Sequence, residues 1–215
     1  CQYLHQQGQK VLFLDIDVHH GDGVQNAFYD SNEVMTISLH ETGKVLFPGT
    51  GFEEEIGTGK GTGYSVNLPL PPGTYNQAYL KCFNEAIVPL IKVFDADIIV
   101  FELGADGLAG DPLAHLKLTN KVYIEIIRFL LTLDKPLLVT GGGGYHVGNT
   151  VRAWALAWSI LTGEDSDISD MRLGLGGVLM ETTDWLGGLK DRELPVTEEQ
   201  KQTVIPAIEA SIRKI

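Results

Sequence analysis

The 215-residue chain is 44% hydrophobic and 20% charged, the size and composition of one globular domain rather than of a disordered polymer. Its 16 Lys and Arg against 28 Asp and Glu give a formal net charge of −12, and no basic run offers a nucleic-acid groove. Cys1 and Cys82 are the only cysteines and no CxxC occurs, which excludes a disulfide framework and suits a reducing, cytoplasmic setting. No apolar stretch approaches the roughly 20 residues of a membrane helix, and no signal peptide is visible. The opening CQYLHQQGQK has no initiator Met and reads as the tail of a helix. The expectation is an N-terminally incomplete chain.

In chain order, apolar runs predict strands over 11–17 (VLFLDID), 34–39 (VMTISL) and 64–70. A helix is expected over 76–94, bent at Pro89, followed by a strand over 98–103 (IIVFEL). A second helix is expected over 119–133 with Thr119 as its N-cap, then a strand over 136–140 (PLLVT). A third helix spans 149–162, closed by Gly163, with Trp154 and Trp158 four apart on a face expected to pack in the core. Residues 164–215 carry no chemical motif and read as loops plus a terminal helix. Continuous apolar strands alternating with helices imply a parallel α/β sheet covered on both faces. Ligands of such sheets lie beyond the carboxyl ends of the strands. Three strands there run into DIDVHHGDG, ELGADGLAGDP and LLVTGGGGYH, which should converge at one edge.

Asp15, Asp17, His19, His20 and Asp22 fall within eight positions. Carboxylates so crowded repel one another unless a cation sits among them. In a strand, Asp17 and His19 would share a face. With Asp106 from another strand end they make a His-Asp-Asp set with an open position, the arrangement of a catalytic zinc. Fe(II), Mn or Co also suit such ligands. A hydrogen-bonded Asp-His pair at a strand end is the plainer alternative. Gly141 to Gly144 suggest close approach of main chain to something, and Tyr145 at the edge could donate a hydrogen bond to an oxyanion. A flexible turn would also fit. The GTGKGTG stretch at 57–63 imitates a phosphate loop, but Glu54 and Gly61 break that pattern and it precedes a strand, so it reads as a turn. His5, His40, His115 and His146 read as structural or exposed.

The motifs DIDVHHGDG, FPGTG, GADGLAGDP and GGGGY occur in the order seen in the zinc-dependent histone deacetylases. The chain resembles that family over about residues 1–163, most closely its bacterial acetoin utilization branch. The resemblance implies a three-layer arginase/deacetylase-like fold, of which residues 1–215 would be the C-terminal portion of one domain. It implies hydrolytic removal of acetyl groups from acetyl-lysine-like or other acetylated amines. Asp17, His19 and Asp106 become the zinc ligands and Tyr145 the oxyanion donor. Asp15 and Asp22 would orient two active-site histidines. Phe47, Leu113, Gly143 and Gly144 would line an acyl-lysine channel. A potassium ion would sit among Asp15, Asp17, the His19 carbonyl, Ser38 and the Leu39 carbonyl. A second monovalent site would fall at Phe28, Ser31, Val34 and Tyr64. The family's tandem base-and-acid histidines precede its first motif, where this chain has no residues, so these residues alone are expected to be inactive. Rival readings are a binuclear arginase-type hydrolase, disfavoured by Gly21 and Gly104 where extra carboxylates would be needed, and a non-catalytic acyl-lysine binder.

Overall fold

A computed structural model describes residues 1–164 and 188–215. Five strands form one parallel sheet: β1 (Val11–Asp15), β2 (Val34–Glu41), β3 (Ser65–Leu70), β4 (Ile98–Leu103) and β5 (Leu137–Gly141). Their order is β3-β2-β1-β4-β5. After β3 the chain returns past β1 and continues on its other side. The direction of winding therefore reverses between β1 and β4, and the crevice beyond that switch point is where doubly wound sheets bind ligands. Asp17 follows β1 and Asp106 follows β4.

Helices cover both faces of the sheet. On one face Leu12, Leu14, Ile37, Leu39, Ile99 and Phe101 join a single large core. They pack there under α3 (Asn76–Cys82), α4 (Val88–Phe94), α5 (Lys121–Thr132), α6 (Val147–Leu161) and α7 (Glu198–Ile212). On the other face Val11, Phe13, Val34 and Val100 meet Leu4 of α1 (Gln2–Gln6), Val24 of α2 (Asp22–Ala27) and Phe28 just after it. The three layers follow from strands apolar along their whole length.

The predicted bend at Pro89 is built as a π-helical turn, Phe83–Ile87, between α3 and α4. Proline brings no N–H and its ring crowds the preceding turn, so the helix widens there. The GTGKGTG stretch forms a tight 3₁₀ turn at Gly59–Gly61 that leads into β3, as a turn should. Two expectations are corrected. Thr119 is not the cap of α5: the helix starts at Lys121 after Asn120, and Thr119 instead exchanges hydrogen bonds with Asn76 (2.7 and 2.9 Å), tying α3 to α5. Nor do the tryptophans pack in the core. The buried row of α6 is Ala153, Leu156, Ala157 and Ile160, which turns Trp158 outward (68% exposed) and leaves Trp154 partly exposed. Both line an open apolar groove of about 570 Å³ with Leu103, Leu137 and Val139. Trp154 is fixed there by its indole N–H, 2.9 Å from the Leu103 carbonyl. The terminal helix expected within 164–215 is α7, capped by Thr197, whose hydroxyl accepts from the Gln200 amide at 3.1 Å. Part of that stretch, 165–187, lies outside the described residues.

Candidate metal centre

Beyond Asp15 the chain leaves the sheet and folds around its own carboxylates. Asp15 Oδ1 accepts the Asp17 amide, Asp17 Oδ1 accepts the His19 amide, and Asp106 Oδ1 accepts the Val18 amide, each at 2.9 Å. Asp17 and His19 therefore do not meet by strand alternation, as the sequence suggests, because β1 has already ended at Asp15. Short carboxylates turning back onto the next amides bring them together instead. His19 Nδ1 lies 3.1 Å from Asp17 Oδ1 and 3.1 Å from Asp106 Oδ2. One ligand atom from each of the three residues falls within 4.8 Å of the others. His20 turns away into a buried network, with Nδ1 2.8 Å from Thr50 Oγ1 and Nε2 3.1 Å from Gln25 Oε1.

Glycines admit this crowding. The Gly143 amide donates to Asp17 Oδ2 at 2.6 Å. A methyl group on Gly143 would stand 1.9 Å from Asp106 Oδ2, and one on Gly104 would stand 2.3 Å from Asp17 Oδ2. Close approach of main chain to the carboxylates is thus what the glycine run after β5 serves. Beneath the site the buried Tyr123 hydroxyl donates to the Gly104 carbonyl at 2.7 Å and fixes the turn that carries Asp106.

The electrostatics call for a cation. Burial, then the Glu102 and Asp17 charges, holds the Asp15 carboxyl well above the usual carboxylate range. Among the described residues its one hydrogen-bond donor is the Asp17 amide. Burial likewise raises Asp106, which the His19 ring counters only in part. For Asp17, burial is outweighed by hydrogen bonds from the His19 ring and amide and the Gly143 amide, and its carboxyl falls below the usual range. The His19 ring is pushed up to about 10 by its hydrogen bonds to Asp106 and then Asp17. A proton on His19 stands where a divalent ion would sit, and two buried acids around one imidazole fit such an ion.

The other predicted residues surround this centre at different depths. Tyr145 is half-exposed (50%), and its ring meets His19 edge-on at 6.4 Å between centroids. Slight burial and the Asp106, Asp17 and Asp111 charges raise its phenol, which keeps it a hydrogen-bond donor. Phe47 and Leu113 are exposed on loops, at 78% and 51%. Gly144 has φ +150°, and a methyl there would meet Thr150 Oγ1 at 2.5 Å. Asp22 opens α2 and is half-buried; among the described residues its carboxylate has no hydrogen-bond partner. Ser38 is the β2 register partner of Asp15, with Leu39 next to it, both buried. Of the second monovalent set, Phe28 and Val34 are buried, Ser31 Oγ accepts the Glu33 and Val34 amides, and the Tyr64 carbonyl accepts the Thr36 amide.

Asp111 went unrecognised in the sequence, although an Asp between Gly and Pro is a turn signal. Its carboxylate holds two segments together: Oδ2 accepts the Tyr145 amide at 2.8 Å and Oδ1 the Leu113 amide at 2.9 Å. Glu41 was also passed over. Fully buried at the end of β2, it accepts both the His115 amide and the His115 ring at 2.8 Å and so anchors the same loop.

Comparison with known proteins agrees with this geometry. Residues 1–161 match the family described as histone deacetylase domain. The acetoin utilization protein AcuC of Bacillus subtilis is 43% identical over 171 residues, covering 76% of this chain and 44% of that protein. The crystal structure of an HDAC homolog from Aquifex aeolicus is 31% identical with a TM-score of 0.77, covering 98% of this chain and 59% of that one. A structure of an HDAC homolog complexed with SAHA is 32% identical, with a TM-score of 0.77 and the same coverage. The chain spans about half the length of the curated relatives it matches.

Proposed function

This chain belongs to the histone deacetylase family, and from that premise we propose that its site serves the hydrolysis of N-acetyl amides on lysine-like or other amine carriers. The observation that carries the reading is the convergence of His19 Nδ1, Asp17 and Asp106 on one point beyond the topological switch of the sheet. A divalent ion there, zinc or Fe(II), would polarise the acetyl carbonyl and acidify a water molecule. This chain's own residues supply the rest. Until an ion takes the place of its proton, Asp17 and Asp106 hold the His19 imidazole in one orientation, and the Gly143 amide fixes Asp17 in turn. Tyr145 donates its phenolic hydrogen to the oxyanion that develops at the carbonyl. Phe47 and Leu113 flank the approach of the acyl carrier. The bound SAHA reported for the HDAC homolog supports an extended acyl-chain substrate.

We give proton transfer to a free imidazole, the side chain most often used for it. Among the described residues His19 is committed to the carboxylates, and both nitrogens of His20 and of His40 are hydrogen-bonded. We assign that role to a histidine pair outside residues 1–215, and Asp15 and Asp22 would orient it. On this reading the chain alone binds metal without turnover. Asp15, Asp17, Ser38 and the carbonyls of His19 and Leu39 would hold a potassium ion. Burial pushes the free thiol of Cys82 up to about 12 and leaves it unreactive. No helix among the described residues is long and apolar enough to cross a membrane.

The binuclear alternative fares poorly, because Gly104 stands where a second bridging carboxylate would be needed. A side chain there would collide with Asp17. Titration of the chain with zinc separates the readings: one ion per chain supports the deacetylase site, and two support the arginase type. Acetate release from acetyl-lysine peptides and acetylpolyamines, assayed with the protein that also supplies the histidine pair, tests the activity. Binding of such substrates without acetate release would favour the acyl-lysine binder.

A further inference from the structure

We propose that His40 is a positioning residue that fixes the Ser38 hydroxyl as an acceptor, so that Ser38 and Asp15 together present oxygen lone pairs to a monovalent cation. The inference deepens the reading above and rests on it.

The hydrogen bonds leave one consistent arrangement of protons. His40 Nε2 lies 2.8 Å from the Gly51 carbonyl, which can only accept, so this nitrogen carries the hydrogen. The ring is fully buried and its centroid is 4.8 Å from that of His20, surroundings that keep it neutral. Nδ1 is then bare, and the Ser38 hydroxyl 2.8 Å away must donate to it. That donation uses the one hydrogen Ser38 has. Among the described residues its remaining lone pairs meet only the Gly21 amide, at a long 3.5 Å.

The consequence falls on Asp15. A hydroxyl on the neighbouring strand in direct register with a buried carboxylate would ordinarily turn its hydrogen to that carboxylate. Here His40 takes the hydrogen, and among the described residues Ser38 is not a partner of Asp15. Apart from a proton on Asp15 itself, no donor then stands between two oxygens that share one face of β1 and β2. Such a pair is stabilised by a cation and destabilised without one. Ser38 and His40 lie two apart on β2, so strand alternation alone puts the hydroxyl and its imidazole partner on that face. Gly51 lies in the loop after FPGTG's first glycine, and a methyl there would strike the His40 ring at 2.3 Å, so the close seating of His40 needs this glycine.

The test uses the 215-residue chain. Long-range ¹H–¹⁵N NMR on histidine-labelled protein reads the tautomer directly, and the hydrogen is expected on His40 Nε2 with Nδ1 bare. Thermal unfolding in KCl against LiCl of equal ionic strength should show stabilisation by potassium that saturates with concentration. His40→Leu should weaken the potassium midpoint by about tenfold, the scale of one lost hydrogen-bond constraint. Ser38→Ala should do the same, and the double variant should be no worse than either. His40→Asn, whose carbonyl can still accept from Ser38, should recover most of the effect. Zinc titration of the same samples reads the divalent site separately. Hydrogen on Nδ1, or no potassium-dependent stabilisation of the wild-type chain, overturns the inference whatever zinc does, and the NMR result decides even if His40→Leu fails to fold. Loss of zinc binding in the wild-type chain would instead overturn the proposed function.

Discussion

His19 Nδ1 and Asp106 Oδ2 stand 3.1 Å apart although 87 residues separate them in the chain. The proximity depends on β1 and β4 being neighbours in the sheet, and it makes a proton and a metal ion competitors for one point. The His19 ring is raised from 6.5 to about 10 without a metal. A raised value means that its contribution to stability is complete below about pH 6.5 and is lost as pH rises through about 10. A divalent ion needs the neutral ring, so zinc affinity should climb with pH up to that value, with about one proton released from His19 per ion near pH 8. Calorimetry in buffers of different ionisation enthalpy measures that release. Affinity independent of pH would contradict the arrangement.

Gly143→Ala should abolish zinc binding. Its φ is not in the left-handed region, so the backbone tolerates alanine, but the new methyl would lie 1.9 Å from Asp106 Oδ2. The ligand carboxylate would have to leave its place. Equilibrium dialysis against zinc checks this, and wild-type affinity in the folded variant would refute the role given to the glycine.

Asp111→Ala should lower stability by about 1–3 kcal/mol, because two amides, of Leu113 and Tyr145, lose a buried acceptor together. Asp111→Asn, which keeps one acceptor oxygen, should fall between. Zinc affinity should stay unchanged, since Asp111 is not one of the converging ligands. Urea unfolding with parallel zinc titration separates the two effects.

Tyr145→Phe, made in the protein that supplies the histidine pair, should retain zinc and lose about 10²–10³ in kcat, the usual consequence of removing one oxyanion donor. Steady-state kinetics with an acetyl-lysine peptide provide the test. Unchanged kcat would remove Tyr145 from the mechanism.

The strands were legible because parallel strands buried on both faces must be apolar throughout, and the Ile98–Leu103 strand coincides with its run. The Val34–Glu41 strand extends two residues beyond its apolar run, through His40 and Glu41. Those polar groups are buried only because Ser38, Gly51 and His115 satisfy them, and hydrophobicity along one segment cannot register partners from elsewhere. The tryptophans show the limit of helical spacing, which gives which residues share a face but not what that face meets. Asp17 and His19 were identified by a spacing argument suited to a strand, yet a turn of carboxylate-to-amide bonds brings them together. Asp111 escaped because its partners lie on main chain two and 34 residues away, and nothing in its own type announces them.

The most direct measurement is anomalous diffraction at the zinc absorption edge from crystals of the chain grown with zinc. The account predicts a single strong peak about 2.0–2.2 Å from His19 Nδ1 and from one oxygen each of Asp17 and Asp106. A peak elsewhere, two peaks at this site, or none would contradict it.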